Sequence, residues 1–326
     1  MKKITVVALI VVLTLAVALT CCFAACEKAD FTIGIIQLAP HTALDKANEG
    51  FRNELDKLMQ EAGLSVKYKN KNANGDDNNN STIVGTFMKT DLIYSIATSS
   101  SQAAKIKATE KNIPVIFNAV TDPKDAGLVN DWNVPGVNVT GVSDKSPMAQ
   151  QADLMEELLG GVTPVVGILF TSKENNSIVQ KNEMRAICEA KGWTVVEKGI
   201  QDINEIQDGL TSMTEANIIY IPTDNTLAES AATVHSANVN SGYKRPIVCG
   251  EEGMNDLCGV ATYGVDYYEL GKMAAHMAFD ILVNGKSAAE MPVMTQQNGT
   301  LSIRTDIAAA IGFTIPQSIL DRAAAQ

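Results

Sequence analysis

The stretch Asp91–Ala104, which reads DLIYSIATSSSQAA, decides the fold. It begins with an apolar, β-branched run that is long enough for a buried strand and too short for a helix. Four consecutive hydroxyl residues, Thr98 to Ser101, come next, and an Ala- and Lys-rich run typical of a helix extends to about Glu110. This order predicts an anion site, because the first turn of a helix has unpaired N–H groups at the positive end of its dipole. No Lys or Arg lies in the turn, so the expected anion is a single carboxylate; the alternative is that one of the serines only caps its own helix.

The first 25 residues have the pattern of a secretory signal. Met1-Lys2-Lys3 is charged, and residues 4–19 form an apolar run, the order found in signal peptides. A membrane anchor of marginal length is the alternative. Small residues precede Cys26 in the segment FAAC, which resembles a bacterial lipoprotein box. We therefore expect a signal peptide over 1–25, lipidation of Cys26, a tether over 26–31, and an extracytoplasmic protein held at the cell membrane by its lipid.

The composition argues against several classes of protein. Asp and Glu number 37 against 26 Lys and Arg, a net charge of -11, so we expect no binding to nucleic acid. The chain has three histidines and no metal-spaced His/Cys cluster, so we expect neither a metal nor a cofactor. It lacks the G-x-S-x-G, P-loop, G-x-G-x-x-G and H-E-x-x-H signatures, so we do not expect an enzyme. Cys249 and Cys258 form a disulfide or stay as buried free thiols, and the sequence leaves both open.

Two halves of the chain repeat the same order of segments. The matching pairs are Ile33–Gln37 with Val166–Phe170, Asp91–Ser99 with Asn217–Asn225, and Ile113–Asn118 with Arg245–Gly250. Strands alternate with helices in both halves, which predicts an α/β fold of two similar doubly wound parallel-sheet lobes with a hinge and an interlobe cleft. We expect the first lobe at 32–142 plus about 265–292, and the second at 143–264 plus about 293–326. Within the first lobe, the polar run Asn70–Asn80 predicts a solvated loop and about Ser81–Lys89 a helix.

Polar residues at the carboxyl ends of the predicted strands are the candidate ligand contacts, because open parallel sheets bind ligands there. Hydroxyl groups and helix N-termini favour a carboxylate, and acidic side chains favour an ammonium group. A small zwitterion is therefore the expected ligand, and we expect the lobes to close around it by a hinge. Three alternative roles compete with ligand contact. Asp122 could start a turn, Asp224 could cap a helix, and Tyr263 and Asp266 could form the hinge. Of Glu251 and Glu252, at most one is expected to face the cleft. The candidates are Gln37, His41, Thr98, Ser99, Ser100, Thr121, Asp122, Asn175, Asn176, Thr223, Asp224, Asn225, Glu251, Tyr263 and Asp266.

Six segments carry a family resemblance. They are Gly34–Gln37 with His41, Phe117–Pro123 (FNAVTDP), Gly136–Ser143 (GVNVTGVS), Ile221–Asn225 (IPTDN), Gly250–Gly253 (GEEG) and Ala261–Gly271 (ATYGVDYYELG). Together they resemble the substrate-binding lipoproteins of ABC importers, of the tryptophan/tyrosine-type subfamily, from about Phe31 to Val293.

The resemblance implies a type I periplasmic-binding fold that captures an aromatic or other hydrophobic amino acid. It also implies delivery of that amino acid to an ABC permease and ATPase complex. By motif, Thr98, Ser99 and Ser100 would hold the ligand carboxylate and Asp224 its ammonium group. We expect a monomer. The alternative function is a sensing protein that presents a sugar or nucleoside to a membrane receptor.

Overall fold

The computed structural model describes residues 29–296 and 298–325, and the predicted signal peptide and Cys26 lie outside them. Two six-stranded sheets form the centres of two lobes. The first sheet contains β1 (Phe31–Gln37), β2 (Val66–Asn72), β3 (Leu92–Ile96), β4 (Val115–Asn118), β5 (Val139–Ser143) and β11 (Met294–Thr295). The second contains β6 (Val165–Thr171), β7 (Thr194–Ile200), β8 (Ile218–Ile221), β9 (Ile247–Cys249), β10 (Ala261–Gly264) and β12 (Thr300–Ile303).

Both sheets have the same strand order, which confirms the predicted two-lobe fold. The orders are β11-β5-β4-β3-β1-β2 and β12-β10-β9-β8-β6-β7. All pairings in the first sheet are parallel, and the second has one antiparallel pair, β10 with β12. The strand order reverses between β1 and β3 and again between β6 and β8. These reversals are the switch points at which doubly wound sheets bind ligands.

The helices cover the sheets on both faces. The first lobe has α1 (Thr42–Glu61), α2 (Asp77–Gly85), α3 (Thr98–Thr109) and α10 (Tyr267–Leu282). The second has α4 (Met148–Leu158), α5 (Asn175–Ala190), α6 (Ile206–Ser212), α7 (Asn225–Glu229), α8 (Ala231–Asn240), α9 (Glu252–Cys258), α11 (Thr305–Ala310) and α12 (Gln317–Ala324). Short 3₁₀ turns lie at Ile203–Glu205 and Ala288–Glu290.

Close packing against α1 places α10 in the first lobe although it comes late in the chain. A Cβ atom at Gly50 would lie 2.1 Å from the carbonyl oxygen of Tyr268, and one at Gly271 would lie 2.3 Å from that of Ala47. Only glycine permits this approach. Strand β11 also belongs to the first sheet, since Met294 pairs with Val142. The chain therefore returns to the second lobe after Thr295, slightly beyond the predicted end of the first lobe near residue 292.

Successive residues of the central strands pack into opposite apolar layers. In β1, Ile35 belongs to the cluster formed with α1 and α10, whereas Ile36 belongs to the cluster formed with α2 and α3. Phe51 stacks on Tyr94 in the first of these layers, with ring centroids 3.8 Å apart. Burial on both faces explains why the sequences of these strands consist mainly of apolar residues.

The Asn-rich segment differs from its prediction. The predicted loop Asn70–Asn80 contains the end of β2 and the start of α2, and this helix ends at Gly85 rather than near Lys89. Asp76 starts the helix early because its side chain accepts a hydrogen bond from the N–H of Asn78 at 2.9 Å. Asp and Asn side chains are good helix caps, so a polar run of this kind is also a helix start.

The cysteines of the described chain are free thiols. Cys249 and Cys258 are buried free thiols whose sulfur atoms lie 3.7 Å apart, so they are not bonded. Cys188 is buried in a separate apolar cluster.

Within residues 29–296 and 298–325, no helix combines the length and the apolar character needed to span a membrane.

Candidate functional site

A cavity of about 300 Å³ lies between the lobes at the carboxyl ends of both sheets. That volume is at the lower end of the range for small-molecule sites. The loops that follow β1, β3, β6 and β8 all contribute to it, so both switch points face the same space. The lining residues are Leu38, Ala39, Asn74, Gly75, Asp77, Thr98, Ser99, Gln102, Lys173, Glu174, Asn175, Asn176, Asp202, Ile203, Asn225, Thr226 and Glu229.

The N-terminus of α3 opens toward this cavity without a side-chain cap. Its N-cap residue is Ala97, at φ 82° and ψ 161°, and no cap hydrogen bond is present. The alternative that a serine caps α3 is therefore wrong. Ala97 is held in this Gly-like conformation because its N–H donates to the carbonyl of Asn118 at 3.0 Å and its own carbonyl accepts from Ser101. Strained backbone of this kind is concentrated at functional sites.

The hydroxyl groups of the first turn of α3 have different partners. Thr98 is 4% exposed, lines the cavity, and its hydroxyl has no hydrogen-bond partner among the described residues. Ser99 also lines the cavity, and Asn80 donates to its hydroxyl at 3.4 Å. Ser100 is fully buried and donates to Asn80 at 2.8 Å. Thr98 and Ser99 thus line the cavity, whereas the hydroxyl of Ser100 supports the turn.

Glu174 contributes a carboxylate to the cavity from the loop after β6. One of its oxygens accepts hydrogen bonds from the N–H and hydroxyl of Thr226 at 2.8 and 2.6 Å. The other accepts from the N–H and side-chain amide of Asn225 at 2.9 and 2.8 Å. Glu174 therefore caps α7 from a distant loop. Sequence reasoning missed it because a cap normally lies next to its own helix.

Asp224 is also committed to bonds within the second lobe. It is 1% exposed, and its carboxylate accepts from the N–H and hydroxyl of Thr171 at 2.7 and 2.9 Å. Ser177 and the N–H of Leu227 donate to it at 2.7 and 2.9 Å. Burial and the nearby Glu174 raise the pKa of Asp224 to about 7. The alternative role of Asp224 as a helix cap is what the structure shows.

A narrow space deeper between the lobes, of about 10 Å³, brings together two further buried acids. Asp144 accepts hydrogen bonds from the hydroxyls of Tyr267 at 2.7 Å and Thr121 at 3.2 Å, and burial raises its pKa. Glu251 caps α9 through the N–H groups of Gly253 and Met254, both at 2.6 Å. Burial raises the pKa of Glu251 to about 7.

Glu251 is thus the inward-facing member of its acidic pair. Glu252 lies at the surface and forms an ion pair with Lys46 at 4.0 Å. Thr223 lines the same narrow space as Asp144 and Glu251. Asp144 and Tyr267 were missed by sequence reasoning because they are 123 residues apart in the chain.

Side-chain hydrogen bonds and an ion pair between described residues cross the cleft, which shows that the lobes are closed. A ring nitrogen of His41 lies 3.3 Å from the side-chain oxygen of Asn225. The amide of Gln180 donates to the hydroxyl of Thr121 at 3.3 Å. At the rim, the amide of Asn175 donates to Asp125 at 3.2 Å.

The structure places ten predicted site residues outside the 300 Å³ cavity. His41, Thr223, Asp224 and Glu251 line the narrow space instead, and Ser100 and Thr121 make the hydrogen bonds given above. The other four have contacts elsewhere. Gln37 donates to Ala39 and Asp45 at 2.8 and 2.7 Å and so fixes the loop after β1. Asp122 accepts from two backbone N–H groups of its own turn, both at 3.0 Å. Tyr263 packs in the second lobe with Arg322 over its ring. Asp266 caps α10. Gln37, Asp122, Tyr263 and Asp266 therefore have structural roles.

The chain is similar to known proteins over nearly its whole described length. A family model described as ABC transporter substrate binding protein matches residues 32–326. A tyrosine-binding protein of Clostridioides difficile (strain R20291) is 36% identical over 289 residues, which are 87% of this chain and 82% of that protein.

Two solved structures are similar in sequence and fold. An ABC domain from Streptococcus pneumonia in complex with L-Trp is 34% identical with a TM-score of 0.79, over 89% of this chain and 98% of that one. A ligand-free, open substrate-binding protein of Clostridium difficile is 33% identical with a TM-score of 0.67, over 88% and 96% of the two chains. The lower score against the open structure, at nearly the same identity, agrees with the closed lobes seen here.

Proposed function

The chain belongs to the family of ABC transporter substrate-binding proteins, and we propose that its ligand is an aromatic or other hydrophobic amino acid bound in the interlobe cavity. The observation that carries the proposal is the unpaired, buried hydroxyl of Thr98 at an uncapped helix N-terminus in that cavity. A buried hydroxyl without a partner is costly, so its retention at a site wall indicates a ligand partner.

The ligand carboxylate belongs at α3 in this proposal. The first N–H groups of a helix lack intrahelical acceptors and lie at the positive end of its dipole. The hydroxyls of Thr98 and Ser99 stand at the same end and add two donors. Charge-assisted hydrogen bonds of this kind are about twice as strong as neutral ones.

The ligand ammonium group belongs on the opposite wall, where three acids, Glu174, Asp202 and Glu229, outnumber one cation, Lys173. Glu174 and Glu229 both line the cavity from the second lobe. The exposed side chain of Glu229 has no hydrogen bond or ion pair with any residue in the described part of the chain, so its carboxylate is free for a ligand cation. The internal bonds of Asp224 make it a support for this wall, and its predicted contact with the ammonium is better assigned to Glu229.

The relatives support an aromatic side chain, since one is named as tyrosine-binding and another was solved with L-Trp. We further propose that the ligand passes to an ABC permease and ATPase complex outside the cytoplasm. In this proposal the protein is a monomer anchored by lipid on Cys26 and is not an enzyme.

Titration calorimetry of the chain from residue 27 onward, with each of the twenty amino acids, tests the proposal. We expect binding of Tyr, Trp or Phe. Tyrosinamide, which lacks the carboxylate, and N-acetyltyrosine, which lacks the ammonium group, should each bind at least tenfold more weakly, because each leaves one charged wall unpaired. Binding of a sugar or nucleoside, with none of any amino acid, would contradict the amino-acid assignment.

A further inference from the structure

We propose that Ile203 is the residue of the second lobe that selects ligands with large apolar side chains; this inference rests on the proposed function. Ile203 lies in the 3₁₀ turn after β7 and lines the interlobe cavity. No sequence motif indicated Ile203, because an isoleucine in a loop is usually interpreted as a residue of the apolar core.

The exposure of Ile203 separates it from the isoleucines around it. Ile200 and Ile206, three residues away on either side, are 0% and 1% exposed and pack in the same apolar cluster. Ile203 is 47% exposed. A large apolar side chain turned away from an adjacent core, into a cavity, gains contact only when that cavity is filled.

The turn that carries Ile203 is fixed by its neighbours. The carboxylate of Asp202 accepts from the N–H of Asn204 at 2.8 Å, and that of Glu205 accepts from the N–H of Gln201 at 3.0 Å. Two side-chain-to-backbone bonds within five residues hold this segment in a defined conformation. The position of Ile203 is therefore a built feature of the cavity wall.

Apolar side chains are scarce elsewhere in the cavity. Of the described residues that line it, only Leu38, Ala39 and Ile203 have apolar side chains, and Gly75 has none. Leu38 and Ala39 belong to the first lobe, and Ile203 belongs to the second. Leu38 and Ala39 are only 6% and 1% exposed, whereas Ile203 is 47% exposed. An apolar ligand side chain in the cavity therefore removes apolar surface from water mainly at Ile203, and a small side chain removes less.

No aromatic residue is among the described lining residues, so selectivity here depends on buried apolar area rather than on ring stacking. One methylene group more or less in an apolar pocket changes affinity about 10- to 200-fold. We therefore expect affinity to rise with apolar size from Ala to Leu and Tyr, and we expect Ile203 to supply part of that increase.

The test compares Ile203→Ala with the wild-type chain by calorimetric titration with Ala, Ser, Leu, Tyr and Trp. We expect Ile203→Ala to weaken Leu, Tyr and Trp about tenfold and to change Ala and Ser by less than twofold. Ile203→Asn, which keeps a side chain of moderate size but removes its apolar character, should give the same pattern. Ile106→Ala is the matched control, because Ile106 is 66% exposed and lies outside the cavity.

Two outcomes would overturn the inference. An equal loss for small and large ligands would make Ile203 a general support of the cavity, and unchanged affinities would remove it from the site. Both results leave the proposed function intact, because wild-type binding of amino acids is measured in the same series. If the wild-type chain binds no amino acid, the proposed function fails, and that result is distinct from either of these.

Discussion

Replacing Thr98 by Val should weaken ligand binding and at the same time stabilise the free protein. The two side chains have nearly the same shape, so the substitution removes only the hydroxyl. That hydroxyl is buried and has no partner among the described residues. A donor in this state is unfavourable in the empty protein and favourable once a carboxylate accepts from it.

The magnitudes follow from these two states. A hydrogen bond to a charged group contributes about 1.5–3 kcal/mol, and each 1.4 kcal/mol is a factor of ten, so the Kd should rise about 10- to 100-fold. An unsatisfied buried polar group costs about 1–3 kcal/mol, so the free energy of unfolding without ligand should rise by about 1 kcal/mol. Calorimetric titration with the best-binding amino acid gives the first value, and urea unfolding of the free protein gives the second.

Thr90→Val is the matched control. Thr90 lies in the same lobe and is 6% exposed, but its hydroxyl donates to the carbonyl of Phe87 at 2.7 Å. Its replacement should lower the free energy of unfolding by about 1 kcal/mol and leave the Kd unchanged. An unchanged Kd for Thr98→Val would remove Thr98 from the site, and a stability loss as large as that of Thr90→Val would show that its hydroxyl has an internal partner.

Three further predictions concern stability and are all measured by urea unfolding. Asp224→Ala should lower the free energy of unfolding by about 3 kcal/mol or more, because it leaves the buried N–H groups of Thr171 and Leu227 without their acceptor; a loss under 1 kcal/mol would contradict this role. Burial raises the pKa of Glu251 to about 7 from an ordinary value of 4.5, so the folded state retains a proton that the unfolded state releases in this window. Stability should therefore fall as pH rises from about 4.5 to 7, and Glu251→Gln should make this fall smaller; an equal fall in the variant would refute the assignment. Ala97→Gly should raise the free energy of unfolding by about 1 kcal/mol, since φ 82° favours glycine, whereas Ala104→Gly in the interior of α3 should lower it.

The fold was predictable from the sequence because the strands are buried on both faces. Runs such as Leu92–Ile96 are buried throughout and mostly apolar, and each recurs in the second half at the corresponding place, so the repeat indicated two lobes of the same design. The start of α3 was also predicted, because the hydroxyl run marks the change from strand to helix. The error at Asn70–Asn80 arose because Asp and Asn favour both loops and helix caps.

The details of the site were less predictable because they depend on competition between neighbouring groups. The sequence places Asp224 at a strand end but cannot show that four donors already occupy its carboxylate. Glu174 caps a helix 51 residues further along the chain, and Ile203 is distinguished from Ile200 and Ile206 only by its exposure. Each of these assignments requires knowledge of what the side chain touches, which residue type and spacing do not contain.

The two lobes share one topology but differ in the charge that they present to the cleft. In the first lobe, α3 begins at Thr98 and has no carboxylate cap. In the second, the start of α7 is neutralised by two carboxylates, those of Asp224 and Glu174. Because an uncapped helix N-terminus attracts anions and a doubly capped one does not, a zwitterion has one favourable orientation in the cleft. A ligand that carries both charges stabilises both walls and so holds the lobes together, whereas a ligand with a single charge stabilises only one of them.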